Sequence, residues 1–444
     1  MICINIPVDF DFIRRLLVLM PPIPEEVEDQ MESSIDALIR TRSEAAVDLL
    51  TRLISFRSTA GNEREVQLFL ADQVRNLGFD PTLMPIHPDI ESDEDYTLVP
   101  GHKGYDGRSN LVFMVPGTGG GRSVILCSHT DVVPGPDELF EPKVEDGIVK
   151  GRGACDAKGH AVTILLALAA LRDAGIKLKG DVQTQFVIEE EAGGNGALSA
   201  IIDCPKADGV VVIESTGFKV FPANRGAVWF ELGIEGKTTH MGRWRNGVSA
   251  IDEMIDAIRI LKDYERKLVA ESLGDPLFVD TEGCVKVNIG VIQGGDWPSM
   301  VPGHCTIEGG VGFLPNKRLT DIRNEVRRAI ADNASAWTKE HYSLEFKRLH
   351  NEAYRMDPEH PLAATMYDAV TSRGIESEVT GWTASCDARL YWHRGGIPTV
   401  VFGPGSVGHA HAVDEQIAIK DIETGAGILA EFLMRWCGTD EMKE

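Results

Sequence analysis

The chain has 444 residues, with 44 Lys and Arg against 68 Asp and Glu, a formal net charge of -24. At roughly 150 residues per domain this length suits two or three domains, and 43% apolar with 25% charged residues excludes a mostly disordered chain. The acidic balance argues against broad contact with nucleic acid phosphates, which takes clustered Lys and Arg. No stretch approaches the ~20 uninterrupted apolar residues that span a bilayer.

The N-terminal run MICINIPVDFDFIRRLLVLMPP carries Asp11, Arg14 and Arg15 in the wrong order for a secretory signal. Eight cysteines are scattered without a CxxC pair, which suits a reducing compartment better than a disulfide framework or zinc finger. A cytoplasmic protein is expected. Helical spacing is found over 34–57 and 63–77, and the Pro-, Gly- and Asp-rich stretch 85–121 reads as loops around one strand, 110–115. Strand and helix signals then alternate: strand 123–128, helix 160–176, strand 182–188, helix 196–202 and strand 209–214. Such alternation predicts an α/β fold with a mostly parallel sheet.

After about residue 220 the rhythm changes. Strand 227–236, helix 250–270, strands 284–292 and 305–313, helix 319–337 and strand 343–349 follow in the β-α-β-β-α-β order of a ferredoxin-like α+β unit. Alternation resumes with strand 397–403 and a terminal helix, 421–437. The expected organisation is an α/β catalytic domain in two parts, 1–220 and 346–444, interrupted by a lid or dimerisation domain at 221–345.

Residues able to do chemistry fall at the ends of the expected strands: His129 and Asp131 in SHTDVVP, Asp156 in GRGACDAKG, Glu189 to Glu191 in IEEE, Glu214 in VIEST and His411 in HAHAVDE. Singly each has a plain reading, Asp156 as a helix cap or the glutamates as a solvated patch. Together they lie at one rim of one sheet, where ligands of open α/β folds collect, and clustering ionised carboxylates without a cation is costly. His and carboxylate ligands of this kind suit zinc or cobalt. GPGSVG at 403–408 matches GxGxxG but leads into HAHAVDE rather than a helix, and GKT at 236–238 has Glu231 where a P-loop has glycine, so nucleotide binding is not expected.

The strings SHTDVVP, GRGACDAKG, IEEEAGGNGA, VIEST, SCDAR and AHAVDE, in this order, resemble the M20 metallopeptidase family over roughly residues 40–437. The resemblance implies two divalent metal ions, zinc first with cobalt or manganese as alternatives, bridged by Asp156. It gives His129 and Glu214 to one ion and Glu191 and His411 to the other, and prefers His411 to His409 because AHxxDE fits Ala410-His411 with Asp414-Glu415. Glu190 is implied as general base and Asp131 as the group that fixes the His129 tautomer. Arg389 is implied as a clamp for a substrate carboxylate, and His240 as a catalytic group reaching the partner's site in a homodimer.

The chain departs from the family pattern at Ser299-Met300, where many members carry Asn, and at Gly310-Val311-Gly312, where many carry D-x-R. Both fall where substrate contacts or lid structure are expected. Trp382 is read as lining the pocket or as packing. The expected function is metal-dependent deacylation of a small carboxylated N-acyl amino acid. Dipeptidase or carboxypeptidase action, hydrolysis of another C–N bond such as that of a carboxylated aryl amine, and a catalytically silent binding protein are the alternatives.

Overall fold

Apolar segments too long to remain solvated order the chain into two large sheets, a small three-stranded one and their covering helices in the computed structural model, which describes residues 34–440 apart from 100, 101 and 103. The amino-terminal run read above lies outside them. Helices α1 (Ser43–Ile54) and α2 (Arg64–Asn76) precede strands β1 (Thr82–Pro85), β2 (Ser109–Val115) and β3 (Val124–His129). A hairpin, β4 (Lys143–Glu145) and β5 (Ile148–Lys150), leads to α3 (Lys158–Asp173), β6 (Val182–Val187), α4 (Asn195–Asp203), β7 (Val210–Ile213) and β8 (Val220–Asn224). The second unit contains β9 (Gly226–Glu235), α5 (Ala250–Ser272), β10 (Lys286–Gly294), β11 (His304–Phe313), α6 (Leu319–Asn333) and β12 (Tyr342–Glu345). The chain returns through β13 (His350–Asn351), β14 (Tyr354–Arg355), α7 (Pro361–Thr371), β15 (Val379–Trp382), β16 (Thr399–Phe402), β17 (Gln416–Ala418) and α8 (Ile419–Cys437).

The larger sheet has the order β1-β2-β6-β3-β7-β16-β8-β14, with β15 beside β8. Its centre, β6-β3-β7-β16, is parallel, and antiparallel pairs at the flanks complete the expected α/β architecture. The four central strands are buried along their whole length. Helices cover both faces, so none of these strands has a solvent side, and β6 buries Gln183, Thr184 and Gln185 along with its apolar residues. On one face α1, α3 and α8 share a core with Leu126, Phe186 and Phe402; on the other, α4 packs with Ile125, Val212 and Val401. Parallel strands place their carboxyl ends on one rim.

The second sheet is antiparallel in the order β10-β11-β9-β12, with β13 also beside β9, the strand order of the ferredoxin-like pattern. Helices α5 and α6 cover one face through Met254, Leu261, Leu268, Ile322, Val326 and Ile330. Strand β9 alternates between buried and more exposed positions, the period-2 mark of a sheet with one face open.

Helix α6 ends at Asn333, short of the expected 337. Ala334 is extended, and the Ser335 hydroxyl accepts from Thr338 N to cap a new short helix, Ala336–His341. The sequence reading also passed over β1, the β4–β5 hairpin, β8 and β15, each of five residues or fewer.

Candidate active site

Three parallel strands of the large sheet end at the site. Strand β3 closes on His129, β6 runs into Glu189-Glu190-Glu191, and β7 into Glu214. Asp156 stands before α3, and His411 in the loop between β16 and β17. These five segments bring two imidazoles and three carboxylates together. His129 Nε2 lies 3.0 Å from Asp156 Oδ1 and 3.7 Å from Glu214 Oε1. His411 Nε2 lies 3.2 Å from Asp156 Oδ2 and 2.9 Å from Glu191 Oε2. Asp156 therefore turns one carboxylate oxygen to each histidine and stands between two sets of donors. His411, rather than His409, makes these contacts. Two residues that are not glycine hold left-handed backbone here, Glu189 at φ 60° and His411 at φ 63°, a conformation that costs energy and recurs at functional sites.

Donor atoms of His129, Asp156 and Glu191 lie within 4.8 Å of one another. Ligands about 2.0–2.2 Å from a tetrahedral Zn²⁺ stand about 3.3–3.6 Å apart, close to the separations seen. The electrostatics agree with that chemistry. Burial, followed by the charge of Asp387, pushes the Glu190 carboxyl well above its usual range. Burial likewise raises Glu214, and with the charge of Asp156 it lifts Glu191 to about 7. Burial works against the Asp156 anion too, but the two imidazoles outweigh it and hold this carboxyl below its usual range. Hydrogen bonds to Asp156 and Glu191 push His411 up to about 10. Among the protein's own groups, the cluster has more buried negative charge than positive charge to balance it. Divalent cations fit this donor set.

Asp131 fixes its neighbours in two ways. Its main-chain carbonyl lies 3.0 Å from His129 Nδ1, closer than its carboxylate at 3.5 Å. The carboxylate accepts from the N–H groups of Glu190 (3.1 Å) and Glu191 (3.0 Å). The tautomer of His129 is thus set by the backbone of Asp131, while its side chain holds the glutamate loop. Arg389 is 3% exposed and donates through Nη2 to Gly193 O at 2.9 Å, so it stands behind the loop rather than open to solvent. His240 is exposed on the second unit and accepts from Gly242 N at 3.1 Å. Nothing within the described chain brings it to the cluster.

Two carboxylates that the sequence offers only as parts of longer strings, with no role of their own, support the donors. Glu415 is 1% exposed; its Oε1 accepts from the N–H groups of Gly153 (2.8 Å), Cys155 (3.3 Å) and Asp156 (3.2 Å), and its Oε2 pairs with Arg152 at 2.5 Å. It fixes the loop that aims Asp156. Glu189 pairs with Arg108 and accepts from Tyr105 Oη (2.7 Å) and Asn195 Nδ2 (2.9 Å), anchoring the loop of Glu190 from below. The Arg108 guanidinium also binds both oxygens of Glu63 at 2.8 Å. The only sequence signals were the DE of AHAVDE and the first glutamate of IEEE.

Clustered imidazoles and carboxylates with a spare carboxylate, on the carboxyl rim of a parallel sheet, are the arrangement of a metal-dependent hydrolase. The chain matches the family described as Peptidase family M20/M25/M40 over residues 125–435, and it belongs to that family; it is a hydrolase of amide C–N bonds. It is 26% identical over 446 residues to an N-formyl-4-amino-5-aminomethyl-2-methylpyrimidine deformylase from Bacillus subtilis (strain 168), covering 92% of this chain and 98% of that protein. It is 27% identical to an acetylornithine deacetylase from Klebsiella pneumoniae (strain 342), covering 85% and 91%. A tripeptidase from Staphylococcus aureus subsp. aureus mu50 shares the fold with a TM-score of 0.71 at 21% identity, covering 89% of this chain and 98% of that one.

Proposed function

We propose that the chain hydrolyses the amide bond of a small N-acyl amine, releasing a short acyl group such as formyl or acetyl, with two divalent cations. Zinc suits the mixed imidazole and carboxylate donors, with cobalt or manganese as alternatives. The observation that carries this reading is Asp156, whose two oxygens lie 3.0 and 3.2 Å from imidazoles of separate donor sets. In this reading His129, Asp156 and Glu214 hold one ion, and Asp156, Glu191 and His411 the other. The ions supply Lewis acidity to the amide carbonyl and lower the pKa of water.

The chain's own residues do the rest. Glu190 is the general base: its carboxylate takes the proton of the attacking water and passes it to the departing amine nitrogen. Asp131 keeps Glu190 and Glu191 in place through their N–H groups. The preference for a short acyl group draws on the deformylase and deacetylase relatives. Arg389 is proposed to clamp a carboxylate of the substrate: its Nη2 donates to Gly193 O, and its buried Nε has no partner. His240 is proposed to act across a homodimer in the cytoplasm, where it stabilises the oxyanion of a partner's substrate.

Amine release from a panel of N-formyl and N-acetyl amines, N-acyl amino acids and dipeptides tests the reading. Release from the N-acyl amines, abolished by chelator and restored by zinc or cobalt, is expected. Release from dipeptides alone would replace this reading with a peptidase. Silence across the panel with metal bound would favour a binding protein.

A further inference from the structure

The general base proposed above has no hold of its own. Glu190 is half-buried, and among the described residues no hydrogen bond reaches its carboxylate, so its aim follows from its backbone. That backbone is strained where the loop starts, with Glu189 at φ 60°, and such a conformation persists only where its surroundings over-determine it. From one side the Asp131 carboxylate holds the N–H groups of Glu190 and Glu191. The other side is held by a segment with no strand of its own.

Between β1 and β2 the described residues form no strand and one short turn of 3-10 helix, Ile90–Ser92; connections of more than about 15 residues without structure of their own are commonly functional. This one touches the glutamate loop at both ends. Thr97 N donates to Asn195 Oδ1 (3.0 Å), and Thr97 O accepts from Asn195 Nδ2 (2.9 Å). The Thr97 side chain lies so close to Gly193 that an added Cβ there would be 2.5 Å from it. Tyr105 Oη donates to Oε2 of the fully buried Glu189 at 2.7 Å, and the Arg108 guanidinium lies 5.0 Å from the centre of the Tyr105 ring. The start of the segment is fastened by Arg394, from the helical turn Tyr391–Gly395. Its Nη2 meets Asp93 at 2.6 Å, its Nη1 Glu94 at 3.3 Å and its Nε Asp95 at 3.1 Å.

We propose that Tyr105 is a positioning residue for the hydrolysis: its hydroxyl holds the Glu189 carboxylate, keeps the strained turn in place and so aims Glu190, while Arg394 keeps the segment down on the loop. This rests on the reading of Glu190 as general base and names a residue on which that base depends. Arg108 and Asn195 still hold Glu189 when the hydroxyl is removed, so its loss loosens the turn without leaving a buried carboxylate bare. A reacting group displaced by about 1 Å loses on the order of 10²-fold in rate, and a carboxylate with no hydrogen bond of its own has only its backbone to prevent that.

The test uses the zinc-loaded full chain with N-formylglycine and N-acetylglycine. Tyr105→Phe keeps the ring and its place beside Arg108, and is expected to lower kcat about 10–100-fold while KM, zinc content and unfolding temperature hold. Arg394→Ala, at the far end of the segment, is expected to give a smaller fall of the same kind. Amide hydrogen exchange, followed by mass spectrometry, is expected to quicken about tenfold across 189–194 in Tyr105→Phe and to stay unchanged along β3. Unchanged kcat in Tyr105→Phe, or a fall matched by loss of zinc or of folding, would overturn the assignment while leaving the hydrolase reading intact. If Glu190→Gln keeps full turnover, or the unaltered chain cleaves neither substrate, the base reading fails and the exchange alone decides: quickening confined to 189–194 supports the hold of Tyr105 on the turn, and unchanged exchange overturns it.

Discussion

The two large sheets put similar strands to opposite use. In the larger one β3, β6 and β7 run parallel and are buried from end to end, so their carboxyl ends share a rim where His129, the Glu189–Glu191 loop and Glu214 meet. In the second sheet the strands are antiparallel and their carboxyl ends alternate, so no rim can gather side chains. His240 there stays exposed. Its open face is instead shaped by absence: Gly310 and Gly312 lie along β11 on that face, and Trp229 leans beside Gly310 with 46% of its surface exposed. Strand direction decides whether a sheet concentrates charge, and among the described residues it is the first sheet that carries a group of buried carboxylates close enough to perturb one another.

Four changes would break or sharpen this contrast. Glu190→Gln should cost on the order of 10²–10⁴ in kcat while metal content holds, since it removes a proton acceptor and no donor of either set. Loss of metal in that variant would make Glu190 a ligand. Glu415→Gln should lower activity about 10–100-fold, the usual range for groups that orient ligands, and should also lower the unfolding temperature, because Arg152 is left as a buried charge without its anion. Unchanged metal affinity and activity would remove Glu415 from the site's support.

His160, fully buried beneath the same rim with Nε2 at 3.1 Å from Pro404 O, gives a pH test. Burial lowers its pKa from 6.5 to about 4. The unfolded chain thus takes up a proton that the folded chain refuses, and stability falls as pH drops from 6.5 through 4, by up to about 1.4 kcal/mol per pH unit. Urea unfolding across that range should show the decline, and His160→Gln should flatten it; an unchanged profile in the variant would assign the decline to other groups. The smallest effect is expected on the second sheet. Trp229→Ser at its open face should change stability by less than about 1 kcal/mol, and a larger loss by chemical denaturation would mean that this face is covered in solution.

The order of strands and helices was legible because both units follow simple rhythms, short strands alternating with apolar helices in one and period-2 alternation in the strands of the other. Strand β8 and strand β15 were not, since each is only five or four residues long, and β15 includes a glycine and a tryptophan in place of an apolar run. His129, Glu191 and Glu214 end or follow strands that could be read locally and Asp156 precedes a readable helix, whereas His411, in a loop between strands, was marked only by its AHxxDE string. The groups beneath them were not. Arg108 binds Glu63 across 45 residues and Glu189 across 81, and Glu415 reaches Gly153 across 262; such partners are set by folding rather than by spacing.

Zinc titration of the chelator-stripped chain, followed by calorimetry and by direct metal analysis, tests the two-set arrangement most directly. Two ions per chain are expected, with Asp156→Asn losing both high-affinity steps because each set shares that carboxylate. A single ion per chain, or two ions bound as tightly in Asp156→Asn as in the unaltered protein, would contradict it.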